Sequence, residues 1–155
     1  MDFRNPDSDL PFIDEHRLLV AAPLTQTWTS LTKWVARTHL GISPAFARVV
    51  GTDPREVTGT PPEQGSTFPG FAVVENVPES RLTLAGRHRF STYRLSFVLT
   101  GQPGGTMLAA RSHGVFPGFH GAAYRFAVIG VGSHRILVRR SLRQIADKAE
   151  RNRQV

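Results

Sequence analysis

Between Thr67 and Phe116 the apolar residues come in short runs: Thr67 to Asn76, Arg81 to Phe90, Thr92 to Thr100 and Thr106 to Phe116. They are rich in Val, Phe, Leu and Thr, and Val77-Pro78 and the cluster Gly101 to Gly105 separate them. Runs of this length and composition between turn residues predict antiparallel strands joined by hairpins. Ala45 to Gly51 and Val57 to Gly59, set off by Asp53-Pro54 and Pro61-Pro62, read as earlier strands of the same meander, and Pro69-Gly70 marks a bulge or a late strand start. On either side the period changes. His16 to Ala22 is a short apolar strand ended by Pro23, after which Leu24, Trp28, Leu31 and Trp34 or Val35 recur at helical spacing until Gly41, Ser43 and Pro44 stop the helix. Beyond Pro117-Gly118, Tyr124, Ala127, Val128, Val131, Val138, Leu142 and Ile145 fall on one side of a single long helix.

That order predicts an α+β fold in two layers, a curved antiparallel sheet wrapped around the long C-terminal helix. Where the facing side chains are small, the space between the layers becomes a cavity. A chain of 155 residues, 40% hydrophobic, suits one domain. Residues 1–13, polar and twice broken by proline, read as a flexible arm, 14–150 as the single ligand-binding domain and 151–155 as a tail.

The absence of cysteine excludes disulfides, thiolate nucleophiles, cysteine-ligated zinc and iron–sulfur clusters. Nothing near the N-terminus resembles a secretory leader, and no run approaches the roughly 18 apolar residues of a membrane helix, so the expectation is a cytoplasmic protein without membrane insertion. The net charge of +7 is uneven: residues 1–78 hold six Lys/Arg against nine Asp/Glu, residues 79–155 thirteen against three. Such asymmetry can mark nucleic-acid or anionic-surface contact. The strands lack the interleaved basic and aromatic residues of a base-stacking platform, so the excess reads as a solvated surface and not a nucleic-acid site.

Side chains alternate across a strand, so parity assigns faces. In Arg81 to Phe90 the even set Leu82, Leu84, Gly86, His88 and Phe90 is the buried one, which sends Arg87 and Arg89 to solvent and makes His88 the ionisable group facing the helix. A buried imidazole tends to neutrality, and it then serves either as a general base or carbonyl-polarising donor or as a structural histidine. In the next strand Tyr93, Leu95, Phe97 and Leu99 point inward, Tyr93 offering a hydroxyl to a ligand or simply filling the core. For Thr106 to Phe116 two registers are open. Either Leu108, Ala110, Ser112 and Phe116 face the cavity, or a bulge turns Arg111 and His113 inward, where Arg111 would pair with a carboxylate or enolate. Tyr124, Val128 and Val131 supply the helix side. Gly130 and Gly132 within a helix ask for close packing or pocket volume as a reason; His120 reads as exposed and His134 as a surface or capping residue. His88, His113, His120 and His134 show no metal-ligand spacing, no phosphate loop or GxSxG elbow is present, and the second half of the chain has no close carboxylate pair, so neither metal nor cofactor is expected.

The segment LLVAAPLTQTW, Leu18 to Trp28, resembles the opening of the SRPBCC superfamily, the START and birch-pollen-allergen-like helix-grip domains that include bacterial polyketide cyclases and dehydratases. Thr27 stands where that family usually has an apolar residue. FPGFAVVENVPESRLTLAGRHRFSTYRLSFVL and GVFPGFHGAAYRFAVIGVGSH are similar to an uncharacterised bacterial branch, and the element order agrees over residues 14 to 148. The resemblance implies a cavity between sheet and C-terminal helix that holds a lipid, polyketide or aromatic molecule, in a carrier or an enzyme. No catalytic set is shared across the family.

Three readings follow. The chain carries a small hydrophobic molecule on walls built from Leu84, Phe90, Leu95, Phe97, Ala110, Ser112, Tyr124, Val128 and Val131. Alternatively it is a cyclase, dehydratase or isomerase in which His88 moves a proton and Arg111 or Tyr93 stabilises the enolate. Or its basic C-terminal face binds an acidic partner and no ligand. The chain is a monomer or a homodimer.

Overall fold

The computed structural model describes residues 9–38, 44–127 and 132–153. Six strands form one open sheet, β1 (Phe12–Val20), β2 (Thr67–Phe68), β3 (Phe71–Val77), β4 (Arg81–His88), β5 (Ser91–Gln102) and β6 (Gly105–Val115), in the order β1-β6-β5-β4-β3-β2 with every neighbour antiparallel. The first strand therefore pairs with the last. Cross-strand partners share a face, and β1 sets Asp14, His16, Leu18 and Val20 opposite Ser112, Ala110, Leu108 and Thr106. The sheet begins at Phe12, and the Gly114 amide donates to the Pro11 carbonyl (2.9 Å).

Helix α1 (Leu24–Arg37) follows Pro23, and the Thr27 hydroxyl donates to the Pro23 carbonyl at 3.1 Å. That bond lets a polar residue occupy a fully buried helix position, the one where the resemblance led us to expect an apolar side chain. Residues 44–50 form α2 (Pro44–Val50), a helix and not the expected strand: proline suits a first helical turn, and Ala47 and Val50 are buried three apart. Around Thr58 there is a single bridge to Thr67 in place of a strand. The turn between β2 and β3 carries Gly70 at φ +88°, a left-handed conformation that glycine adopts freely.

The long C-terminal helix is two helices, α3 (Gly118–Arg125) and α4 (Ser133–Arg153). Gly132 sits at φ +80°, which no helix interior accommodates. Val128, Gly130 and Val131 lie outside the described residues. The stripe Val138, Leu142, Ile145 and Ala149 seats α4 on the sheet beside α1, where it meets Leu31, Val35, Phe97 and Leu108 in one core. Polar ties fix the helix at its far end: Glu150 accepts from the Ala21 amide (2.9 Å), Arg153 donates to the Ala21 carbonyl (2.9 Å), and Trp34 donates to Gln144 (3.1 Å). None of the described helices is long and apolar enough to cross a membrane.

Candidate functional site

The sheet, α3 and α4 line a cavity of about 280 Å³. β5 supplies Tyr93, Leu95 and Phe97, β6 supplies Ser112, and α4 supplies His134, Leu137, Val138 and Ser141. Val50 and Thr52 enter the wall because the segment after α2 docks on the end of β4: Asp53 and Arg87 exchange backbone hydrogen bonds (2.8 and 3.1 Å), and the Arg89 amide donates to the Val50 carbonyl (3.0 Å). Arg87 also pairs with Asp53 through its side chain (2.9 Å) and Arg89 is exposed, while His88 between them turns into the cavity.

His88 sits in an aromatic nest, its ring 4.7 Å from Tyr124 and 5.5 Å from Tyr93. The Phe90 amide donates to His88 Nδ1 at 3.1 Å, so that nitrogen is the acceptor and the proton of the neutral ring belongs on Nε2. Burial lowers the pKa of His88, which favours this neutral form. The free ring atom is therefore a donor. Tyr93 is spoken for, since its hydroxyl donates to the Gly70 carbonyl at 2.6 Å, and burial, with Tyr124 and Asp53 adding to it, pushes its phenol pKa up. Gly86 makes that contact possible, because a Cβ there would stand 2.0 Å from the Gly70 oxygen.

A second polar group faces the cavity from α4. His134 Nε2 lies 3.1 Å from Ser112 Oγ and 3.4 Å from Asp14 Oδ1, and the other Asp14 oxygen takes His16 Nε2 at 3.2 Å. Both contacts fall on one nitrogen of His134, which rules out the relay of a Ser-His-Asp triad, where serine and aspartate use different nitrogens. At 3.4 Å the Asp14 oxygen is an ionic neighbour of Nε2 and makes no hydrogen bond, so the tautomer of His134 follows the direction of its bond with Ser112. Two imidazoles thus line one cavity, His88 with a donor on Nε2 and His134 with Nε2 engaged by Ser112.

The other residues expected at the site divide. Tyr124 and Phe116 line the cavity, whereas Leu84 and Ala110 are fully buried in the core and Phe90 stands behind Tyr124, stacked on it at 5.6 Å. The β5–β6 register is unbroken, so Arg111 lies on the opposite face from Ser112, where it pairs with Glu15 and holds that carboxyl below the usual carboxylate range. His113 has the same parity as Arg111 yet contributes to the wall, as does Arg94 opposite it, and burial foremost, then Arg94 and Arg111, lowers the His113 pKa. His120 is exposed. Sequence reasoning missed His134 and Asp14, and on the cavity wall also Val50, Thr52, Arg94, Leu137 and Ser141. Among the described residues no group of three or more His, Cys, Asp or Glu is placed to hold a metal ion.

No family model and no curated protein matches the chain. Solved structures do. An uncharacterised protein from Rhizobium leguminosarum superposes with TM-score 0.57 at 14% identity over 92% of this chain and 96% of its own. Protein CV1439 from Chromobacterium violaceum gives 0.56 at 15% identity over 90% and 99%. The di-domain ARO/CYC StfQ from the steffimycin biosynthetic pathway gives 0.56 at 16% identity over 92% of this chain and 52% of that one. Likeness at this level of identity shows the fold. The curved sheet closed by a C-terminal helix is the architecture of those proteins, and the chain spans about half of the di-domain one.

Proposed function

We propose that the protein binds one small hydrophobic molecule in the cavity between sheet and α4, and that it is a helix-grip domain of the SRPBCC superfamily. The observation that carries this is the cavity itself: about 280 Å³, close to the roughly 300 Å³ lower bound of ligand sites, with apolar walls and a few polar groups aimed inward. The ARO/CYC fold relative supports a polyketide or other aromatic ligand over a straight-chain lipid. Native mass spectrometry of the purified protein, followed by analysis of what denaturation releases, tests the reading. A stoichiometric apolar compound that disappears in Leu95→Trp, a change that fills the cavity from β5, is the expected result. A clean empty mass, with no thermal shift from aromatic polyketides, flavonoids or fatty acids, would sink it.

Two imidazoles on the wall of one cavity favour a second reading, proton transfer next to a carbonyl. Here His134 Nδ1 takes the proton while Ser112 holds the ring at Nε2, and His88 Nε2–H steadies the developing oxyanion. In this reading His88 is the donor and His134 the base. Arg111 and Tyr93 have no part in it. With a ligand in hand, His134→Gln would leave affinity within about threefold and remove turnover. Unchanged turnover would leave carriage alone.

A further inference from the structure

A face that this ligand reading leaves unused lies outside the cavity, on α3 and the first half of α4. Helix α3 turns Gly121 and Tyr124 inward, and its seat is tight: a Cβ on Gly121 would stand 2.6 Å from the Phe116 carbonyl carbon. The opposite stripe faces water. On that stripe Phe119 and Phe126, seven residues apart, are 87% and 74% exposed, with the exposed Ala122 and Ala123 between them. Ile136 on α4 is 68% exposed. Exposed arginines flank these residues in sequence, Arg125 on α3, whose guanidinium lies over the Phe116 ring at 5.8 Å, and Arg135, Arg139 and Arg140 on α4, and none of the four forms an ion pair with a carboxylate among the described residues. From residue 80 to residue 146 the sequence holds ten arginines and no acidic residue.

Full-length phenylalanines in water need an apolar sink, and guanidinium groups with no carboxylate partner among the described residues need anions. A folded acidic protein supplies the charge but not a layer into which separate rings can sink. The interface of an anionic bilayer supplies both in one plane, apolar chains below and phosphates above. We propose that this face docks the protein on anionic lipid membranes as a peripheral contact, with the cavity wall formed by Tyr124 and Leu137 next to the bilayer. The docking does not depend on the cavity holding a ligand.

Co-sedimentation of the full chain with vesicles of phosphatidylcholine and phosphatidylglycerol in equal parts is the test, with pure phosphatidylcholine vesicles as the comparison. Binding to the anionic vesicles that falls steeply with added salt is expected. Phe119→Ser with Phe126→Ser, and separately Arg135→Gln with Arg139→Gln and Arg140→Gln, should each weaken it by about tenfold or more while the thermal midpoint stays put. The arginine variant should also lose the salt dependence. Equal binding to neutral vesicles, full binding by either variant, or no binding to anionic vesicles while a soluble polyglutamate still binds would each overturn the proposal.

Discussion

His88 carries a pH dependence whose sign is fixed by burial. Its folded pKa lies below the ordinary 6.5, so in the window beneath 6.5 the unfolded chain binds the extra proton, and stability rises with pH there. The contribution is complete above that value and is lost as pH falls towards the folded pKa. Glu15, lowered by Arg111 foremost, acts beneath the ordinary 4.5 and does not overlap. Urea unfolding of the wild type and His88→Gln at pH about 7.5 and about 5.5 should therefore show a smaller acid loss in the variant, with His113, also lowered by burial foremost, contributing to the loss that stays. Equal losses would mean that His88 is as well solvated folded as unfolded. Gly86 gives a prediction of another kind. Gly86→Ala drives a methyl into the Gly70 carbonyl and towards the Tyr93 hydroxyl, and should cost about 1–3 kcal/mol in urea unfolding, since the obstruction is backbone and not a side-chain tip. A neutral substitution would show that the β2–β3 turn gives way freely.

At the level of elements, alternation was readable wherever one face of a strand is buried and the other wet. Parity alone separates Arg87 and Arg89 from His88, because a slip of one residue would exchange the faces. It failed where burial is two-sided or the run is short. Ala45 to Gly51 has the apolar density of a strand, but the burial of Ala47 and Val50 follows a helical spacing that seven residues barely display. His134 was misplaced for a related reason. Treated as one helix, residues 124 to 145 put it at the edge of the apolar stripe; with a left-handed Gly132 just before it, α4 restarts and His134 swings onto Ser112. The signal was present in Gly132, whose penalty inside a helix is better read as a break than as pocket volume. Asp14 and His16 share a face with Leu18 and Val20, an alternation that starting the strand at His16 concealed.

Taken whole, the molecule is anchored unevenly. Helix α4 sinks a stripe of six buried residues between α1 and the sheet and ties its far end to Ala21 on both backbone atoms. Helix α3 buries Gly121 alone and otherwise rests on Tyr124, whose ring touches His88 and Phe90, with Phe116 more distant. Local opening follows anchorage, since an element with few buried apolar contacts reaches its exchange-competent state at less free energy than one in the core. Hydrogen exchange should therefore be faster in α3 than over Val138–Ala149. A ligand packed against Tyr124 adds to the sparse contacts of α3 while changing little for α4, so saturating the cavity should slow exchange in α3 more than in α4. Protection that appears only in β5 and α4 would place the ligand away from the Tyr124 wall, at the Leu95 and Val138 end of the same cavity.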